Sequence, residues 1–215
     1  MILADLYKDD PVLSRALASG LETEAMAANA GSGMTGQPRR QGPAAIAQAK
    51  QLGGTVAGFM TQAGGPQIVA LSIDGWDTHA NQGAAEGQLA NRLGYLDGAV
   101  DGLASGLGAD WNNTVVLVVT EFGRTARING TRGTDHGTAS TGLVLGGALK
   151  PGGIIGDWPT LAEGKLFEKR DLASTLDIRA LFKGVLAEHM GLDRRTLDTA
   201  VFPDSAAVAP KLGLV

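Results

Sequence analysis

Apolar positions along this chain follow two periods, and the places where the period changes predict its elements. Leu89, Leu93, Leu96, Val100, Leu103 and Leu107 recur at steps of four and three, one narrow stripe along a single helix. Gly94, Gly98, Gly102 and Gly106 fall on roughly the opposite face. Glycine costs about 1 kcal/mol against alanine inside a helix. Either something packs closely on that face, or the glycines reflect a composition bias. Leu13, Leu17 and Leu21, after Pro11, predict a helix over 10–28. Alanines with Leu52, Val56 and Phe59 predict another over 43–63. The segment "DLASTLDIRALFKGVLAEHMGL", 171–192, predicts a long helix, with Ser174 and Asp177 spaced like a capping box.

Short continuous apolar runs supply the strands. "QIVALSI" (67–73), "TVVLVVT" (114–120) and "TGLVLGG" (141–147) read as buried strands of a parallel sheet, and "GGIIGDW" (152–158) as a short edge strand. "NAGSGMTGQPRRQGPA", 29–44, has no period and reads as a mobile loop. Three stretches follow: a helical segment with that loop over 1–65, an α/β part over 66–204, and an irregular tail over 205–215. Strand, helix, strand, loop, strand, helix is the order of an α/β domain with a mainly parallel sheet.

Composition narrows the function classes. The chain has 215 residues and 44% hydrophobic content, enough for one sizeable core. Its 22 acidic against 18 basic residues, net -4, give no footprint for nucleic acid or an anionic membrane. No window approaches the roughly 20 apolar residues of a membrane span. "MILADLYKDDP" lacks the basic and apolar regions of a signal peptide, so a soluble chain is expected. Cysteine is absent, which excludes disulfides and thiolate metal sites. Any metal would need oxygen and imidazole ligands.

Open parallel sheets bind ligands at the carboxyl ends of their strands. There the first run leads into Asp74, Asp77 and His79, and the second into Glu121 and Arg124. The loop entering the third carries Asp135 and His136. Grouped carboxylates repel one another unless a cation joins them. The mixed set suits zinc, manganese, magnesium or calcium. Each piece also has a plainer reading. Asp77 and its neighbours could simply close a turn, Glu121 could pair with Arg124 or Arg127, and a loop histidine is commonly just solvated. Two of only three histidines nevertheless lie close to an aspartate on the expected ligand edge. His189, late in a helix beside Gly191, suits the helix dipole instead. Arg124 and Arg127 would suit an anionic substrate, phosphate or sulfate, or else a salt bridge.

The stretches "DGWDTHANQ", "TEFGRTARINGTRGTDHGT", "LGGALKPGGIIGDWPTL" and "RDLASTLDIRALFKGVLAEHMGLD" closely resemble the bacterial family called domain of unknown function 1501. "LYKDDPVLSRALASGLE" is similar to a middle segment of that family. The family in turn resembles the alkaline phosphatase and sulfatase superfamily. That resemblance implies a three-layer α/β/α fold with a two-metal site at the strand ends. It implies Asp74, Asp77, His79, Glu121, Asp135 and His136 as metal ligands, and Arg124 and Arg127 toward substrate. Phe122 stands where the superfamily carries a histidine ligand, and nothing before residue 66 resembles its nucleophile segment. The chain is therefore expected to be a C-terminal part, with its catalytic nucleophile unassigned. The implied function is metal-dependent hydrolysis of phosphate or sulfate esters, on a small molecule or a polysaccharide, by a periplasmic or secreted protein. The alternative is a non-catalytic exported module on the same scaffold. An uncovered sheet would also favour homo-oligomers.

Overall fold

A computed structural model describes residues 42–215 together with 10, 11, 13–15, 17 and 18. The described residues of 11–18 are helical. The rest of the helix expected over 10–28, and the expected loop as far as residue 41, lie outside the described residues. These form two units. One holds the described residues up to Trp76 together with Ala90–Gly108, and the other holds Asp77–Leu89 together with Ala109–Val215.

In the first unit, helix α1 (Pro43–Met60) starts where Gly42 turns at φ 64 and Pro43 occupies the first turn. Proline suits that place because its missing N–H would have no helical partner. Helix α2 is Gln88–Leu107. Its glycine face is the one that packs: a Cβ on Gly102 would lie 2.0 Å from the Lys50 carbonyl oxygen, and one on Gly53 2.0 Å from that of Ala99. The two backbones approach so closely that only hydrogen fits between them. Ala45, Ala49, Leu52, Tyr95 and Ala99 form the core of this unit, with Ile73 packed against it. On the leucine stripe, Leu107 is buried but Leu93 remains 49% exposed. Close packing thus explains the glycines better than composition bias does.

The expected three-layer α/β/α architecture is not the one adopted. Among the described residues the sheets are two antiparallel pairs. Strand β1 (Val116–Val118) pairs with β4 (Leu143–Leu145), Val116 opposite Leu145. Strand β2 (Gly123–Arg124) pairs with β3 (His136–Gly137), Arg124 opposite His136. Residues 67–73 form no strand, and Ile68 is 68% exposed. Nor does 152–158, where Ile154 is 84% exposed. The reason lies in the connections. Parallel neighbours need a crossover of a dozen or more residues, usually a helix. The segment between β1 and β4 holds no helix and folds on itself as β2 and β3, so β4 returns antiparallel. An apolar run marks a segment able to extend, but it does not name the partner. The open parallel sheet expected to drive self-association has no counterpart among the described residues. None of their helices is long and apolar enough to cross a membrane.

Helix α3 runs Ile178–Met190, shorter than the expected 171–192. Asp177 is its N-cap, accepting the Arg179 N–H, and Gly191 ends it in the left-handed conformation. Residue 171 cannot be helical because Asp171 is drawn into a loop. Its carboxylate accepts from the Thr138 N–H at 3.1 Å and the Thr138 hydroxyl at 2.9 Å. On α3, Lys183 is fully buried. Its Nζ donates to the Asp198 carboxylate, to the Ser205 carbonyl at 2.7 Å and to the Val208 carbonyl at 3.0 Å. Asp198 follows the short helix α4 (Arg194–Thr196). The tail 205–215 has no regular element, as expected, yet it is tied down. Glu188 accepts the N–H groups of Gly213 at 2.7 Å and Leu214 at 2.9 Å.

Candidate metal centre

Three segments of the second unit converge on one polar cluster. Residues 77–82 lie along 131–134: Ala80 bridges Arg132, the Thr134 N–H donates to the Thr78 carbonyl at 3.2 Å, and that of Asn81 to the Thr131 carbonyl at 3.0 Å. Gly133 permits this contact, because a Cβ there would lie 2.2 Å from the His79 carbonyl carbon. The β2–β3 pair supplies the third segment. Directly opposed residues present their side chains on one face of a ladder, so Arg124 and His136 project together.

Asp77 is the hub. Its Oδ1 lies 3.0 Å from His79 Nε2 and 2.9 Å from His136 Nε2, and it accepts a hydrogen bond from Arg124. The two imidazole centroids are 5.0 Å apart. One ligand atom from each of Asp77, His79 and His136 can be chosen so that all lie within 4.8 Å of one another, near enough to share a cation. The three side chains are 47%, 49% and 51% exposed. Phe122 stacks on His136 at 4.0 Å with a 19° tilt, which limits the ring's rotation.

His79 carries a further constraint. Its Nδ1 lies 3.0 Å from Asp135 Oδ1, while its Nε2 faces Asp77 at 3.0 Å. A neutral imidazole has one N–H and one lone pair. If Nδ1 donates to Asp135, the Nε2 lone pair confronts a carboxylate oxygen. That contact is repulsive unless a second proton or a metal cation lies between them.

The charges are arranged accordingly. Desolvation pushes the Asp77 carboxyl up, but hydrogen bonds from Arg124 and His136 and the charges of both histidines outweigh it. The net effect holds Asp77 below its usual 3.8. Asp135 is also held low, first by the Asn129 hydrogen bond and then by that of His79, with the charges of His79 and Arg124 helping against desolvation. Both stay ionised near neutrality, Asp77 as a cation ligand must and Asp135 as an acceptor for His79.

The other expected residues fall as follows. Asp74 belongs to the first unit, where it accepts from the Ser72 hydroxyl at 3.1 Å. Glu121 is exposed and outside the ligating group. Asp135 supports His79 without joining that group. Arg124 is committed: it donates to Asp77, to the Thr134 carbonyl and, from Nε, to the Thr134 hydroxyl at 2.9 Å. Arg127 pairs with Glu163 at 3.3 Å on the surface, where such a pair contributes little. Asn129, Thr134 and Gln82 went unnoticed in the sequence. The Gln82 side-chain oxygen accepts from the hydroxyls of Thr78 at 2.8 Å and Thr134 at 2.6 Å, locking the paired segments. Asn129-Gly130 signals a turn, but nothing in the sequence signals where the Asn129 side chain bonds.

Among the described residues, fold and site together show helices and small antiparallel sheets with one candidate divalent-cation centre. Residues 8–201 match the family described as "Protein of unknown function (DUF1501)", and the chain belongs to that family. No curated protein and no solved structure shows significant similarity to it.

Proposed function

We propose that this protein binds one divalent cation through Asp77, His79 and His136 and hydrolyses an anionic ester, a phosphate or sulfate ester, there. The observation that carries the reading is His79, each of whose nitrogens lies 3.0 Å from a different carboxylate oxygen. A cation at Nε2 turns the contact with Asp77 from repulsive to attractive. Two imidazoles and one carboxylate match a catalytic zinc-type ligand set, and half-exposed ligands leave a coordination position open to substrate. Three ligands in one group suit one cation rather than two, consistent with Phe122 standing where the superfamily carries a further histidine.

The charge balance favours an anion. Arg124 neutralises one of the two carboxylates, so a divalent ion leaves the centre net positive. Bound there, such an ion supplies positive charge that polarises an ester oxygen and acidifies water. Asp77, His79 and His136 hold it, Asp135 orients His79, and Phe122 steadies His136. The resemblance of the sequence motifs to sulfatases and alkaline phosphatases points toward the ester class, and the resemblance to the family toward a periplasmic or secreted setting. The activity is tested with the full-length protein on a panel of phosphate and sulfate esters. Hydrolysis abolished by chelator and by His79→Ala supports the reading. No turnover on any ester, with cation bound, leaves a binding module and overturns the hydrolase.

A further inference from the structure

Asn129 occupies the junction of the segments that build the centre. Its Nδ2 donates to the His79 carbonyl at 2.9 Å and to Asp135 Oδ1 at 2.9 Å. Its Oδ1 accepts from the Thr131 N–H at 3.0 Å, the Thr131 hydroxyl at 2.9 Å and the Gly133 N–H at 3.0 Å. An amide offers two N–H donors and one carbonyl oxygen, and here every one of them is engaged. The same Asp135 oxygen receives both Asn129 and His79 Nδ1. The chain thus runs from loop backbone through Asn129 to Asp135 to one face of His79. The opposite nitrogen, Nε2, faces Asp77 and the candidate cation position.

Only an amide fits at 129. A carboxylate there would set an acceptor against two acceptors, the His79 carbonyl and Asp135. Asp135 in turn must present an acceptor to Nδ1, which selects the Nδ1–H tautomer and leaves the Nε2 lone pair for a metal. Carboxylate support behind a ligating histidine is a general device, and its loss costs about 10–100-fold in metal affinity. Resting on the metal reading above, we propose that Asn129 and Asp135 are a positioning pair that fixes the tautomer of His79 and thereby sets the cation affinity of the centre. Neither touches the cation. Neither stands out in the sequence for this role, because the pairing depends on where the 129–135 loop lays its side chains.

The test follows the His79 tautomer by 15N imidazole NMR and the Kd for Zn2+ by calorimetry, in the wild type and in Asn129→Asp, Asp135→Asn and Asp135→Ala. With Zn2+ bound, the wild type is expected to show the Nδ1–H tautomer. Asn129→Asp and Asp135→Ala should mix the tautomers and raise Kd about 10–100-fold. Asp135→Asn keeps an acceptor and should lose less. Tautomer and Kd unchanged in folded variants would overturn the pair. If Asn129→Asp fails to fold, the two Asp135 variants decide alone, equal affinities counting against the proposal. If the wild type binds no Zn2+, the metal reading falls, while the tautomer comparison still judges the pair.

Discussion

Gly133→Ala adds one methyl group, far smaller than any ligand change, yet it should disturb the centre. The new Cβ would lie 2.2 Å from both the carbonyl carbon and oxygen of His79 and 2.5 Å from the Ala80 nitrogen. Non-bonded carbons settle at about 3.5–4.0 Å, so the segments must part by roughly 1 Å or more. The obstacle is backbone, and no side chain can swing aside. The backbone at 133 lies outside the left-handed region, so the penalty comes from contact rather than from φ. Overpacking of this kind costs about 1–3 kcal/mol. Two hydrogen bonds to the His79 carbonyl lie at the same contact, from Thr131 Oγ1 at 2.7 Å and Asn129 Nδ2 at 2.9 Å. Losing them adds about 1 kcal/mol each. The total is about 3–5 kcal/mol, divided between folding stability and cation affinity, and within what a domain of about 5–15 kcal/mol can survive. Urea unfolding reads the first share and Zn2+ calorimetry the second. A Gly133→Ala protein with wild-type midpoint and wild-type affinity would show that the 129–134 loop does not rest on His79, and the geometry of the centre would be wrong.

Other substitutions probe the frame around the site. Gly102→Ala sets a methyl 2.0 Å from the Lys50 carbonyl oxygen and should destabilise the α1–α2 pair by about 1–3 kcal/mol, read as a lower urea midpoint. Lys183→Met removes a buried cation from the Asp198 carboxylate and two carbonyls and should destabilise folding by about 3–5 kcal/mol; a wild-type midpoint would show that the charge is dispensable. Asp171 lies below its usual 3.8, first through its hydrogen bond from Arg170 and then through Thr138, against desolvation. Its unfolded state therefore takes up protons first. The contribution is complete above about pH 4 and disappears as pH falls through the lower folded value. Urea midpoints measured downward from neutral pH should fall more steeply in the wild type than in Asp171→Asn.

The sequence revealed local elements better than their arrangement. Helical period located α1, α2 and α3, because an amphipathic helix carries its own hydrogen bonds and depends on neighbours only for one face. It misplaced the start of α3, since Asp171 is held by Thr138, a bond that no local pattern encodes. Strand runs at 114–120 and 141–147 contain β1 and β4, but a parallel pairing would need a crossover helix, and the segment between them holds none, so they pair antiparallel. The site fared differently. Asp77, His79 and His136 meet although the parallel sheet that suggested them is absent, because β2 and β3 and the 77–82 segment deliver the same residues by another route. Asn129 and the bonds of Arg124 to Thr134 could not be read beforehand, although a salt bridge for Arg124 could: both follow from the path of one loop.

With only three histidines in the chain, a titration of the purified protein with Zn2+ followed by histidine NMR tests the shared cation most directly. The resonances of His79 and His136 should shift together and saturate at one equivalent, while His189 in α3 stays unmoved. Histidines that ignore Zn2+, or respond only at large excess with His189 moving alongside, would contradict it.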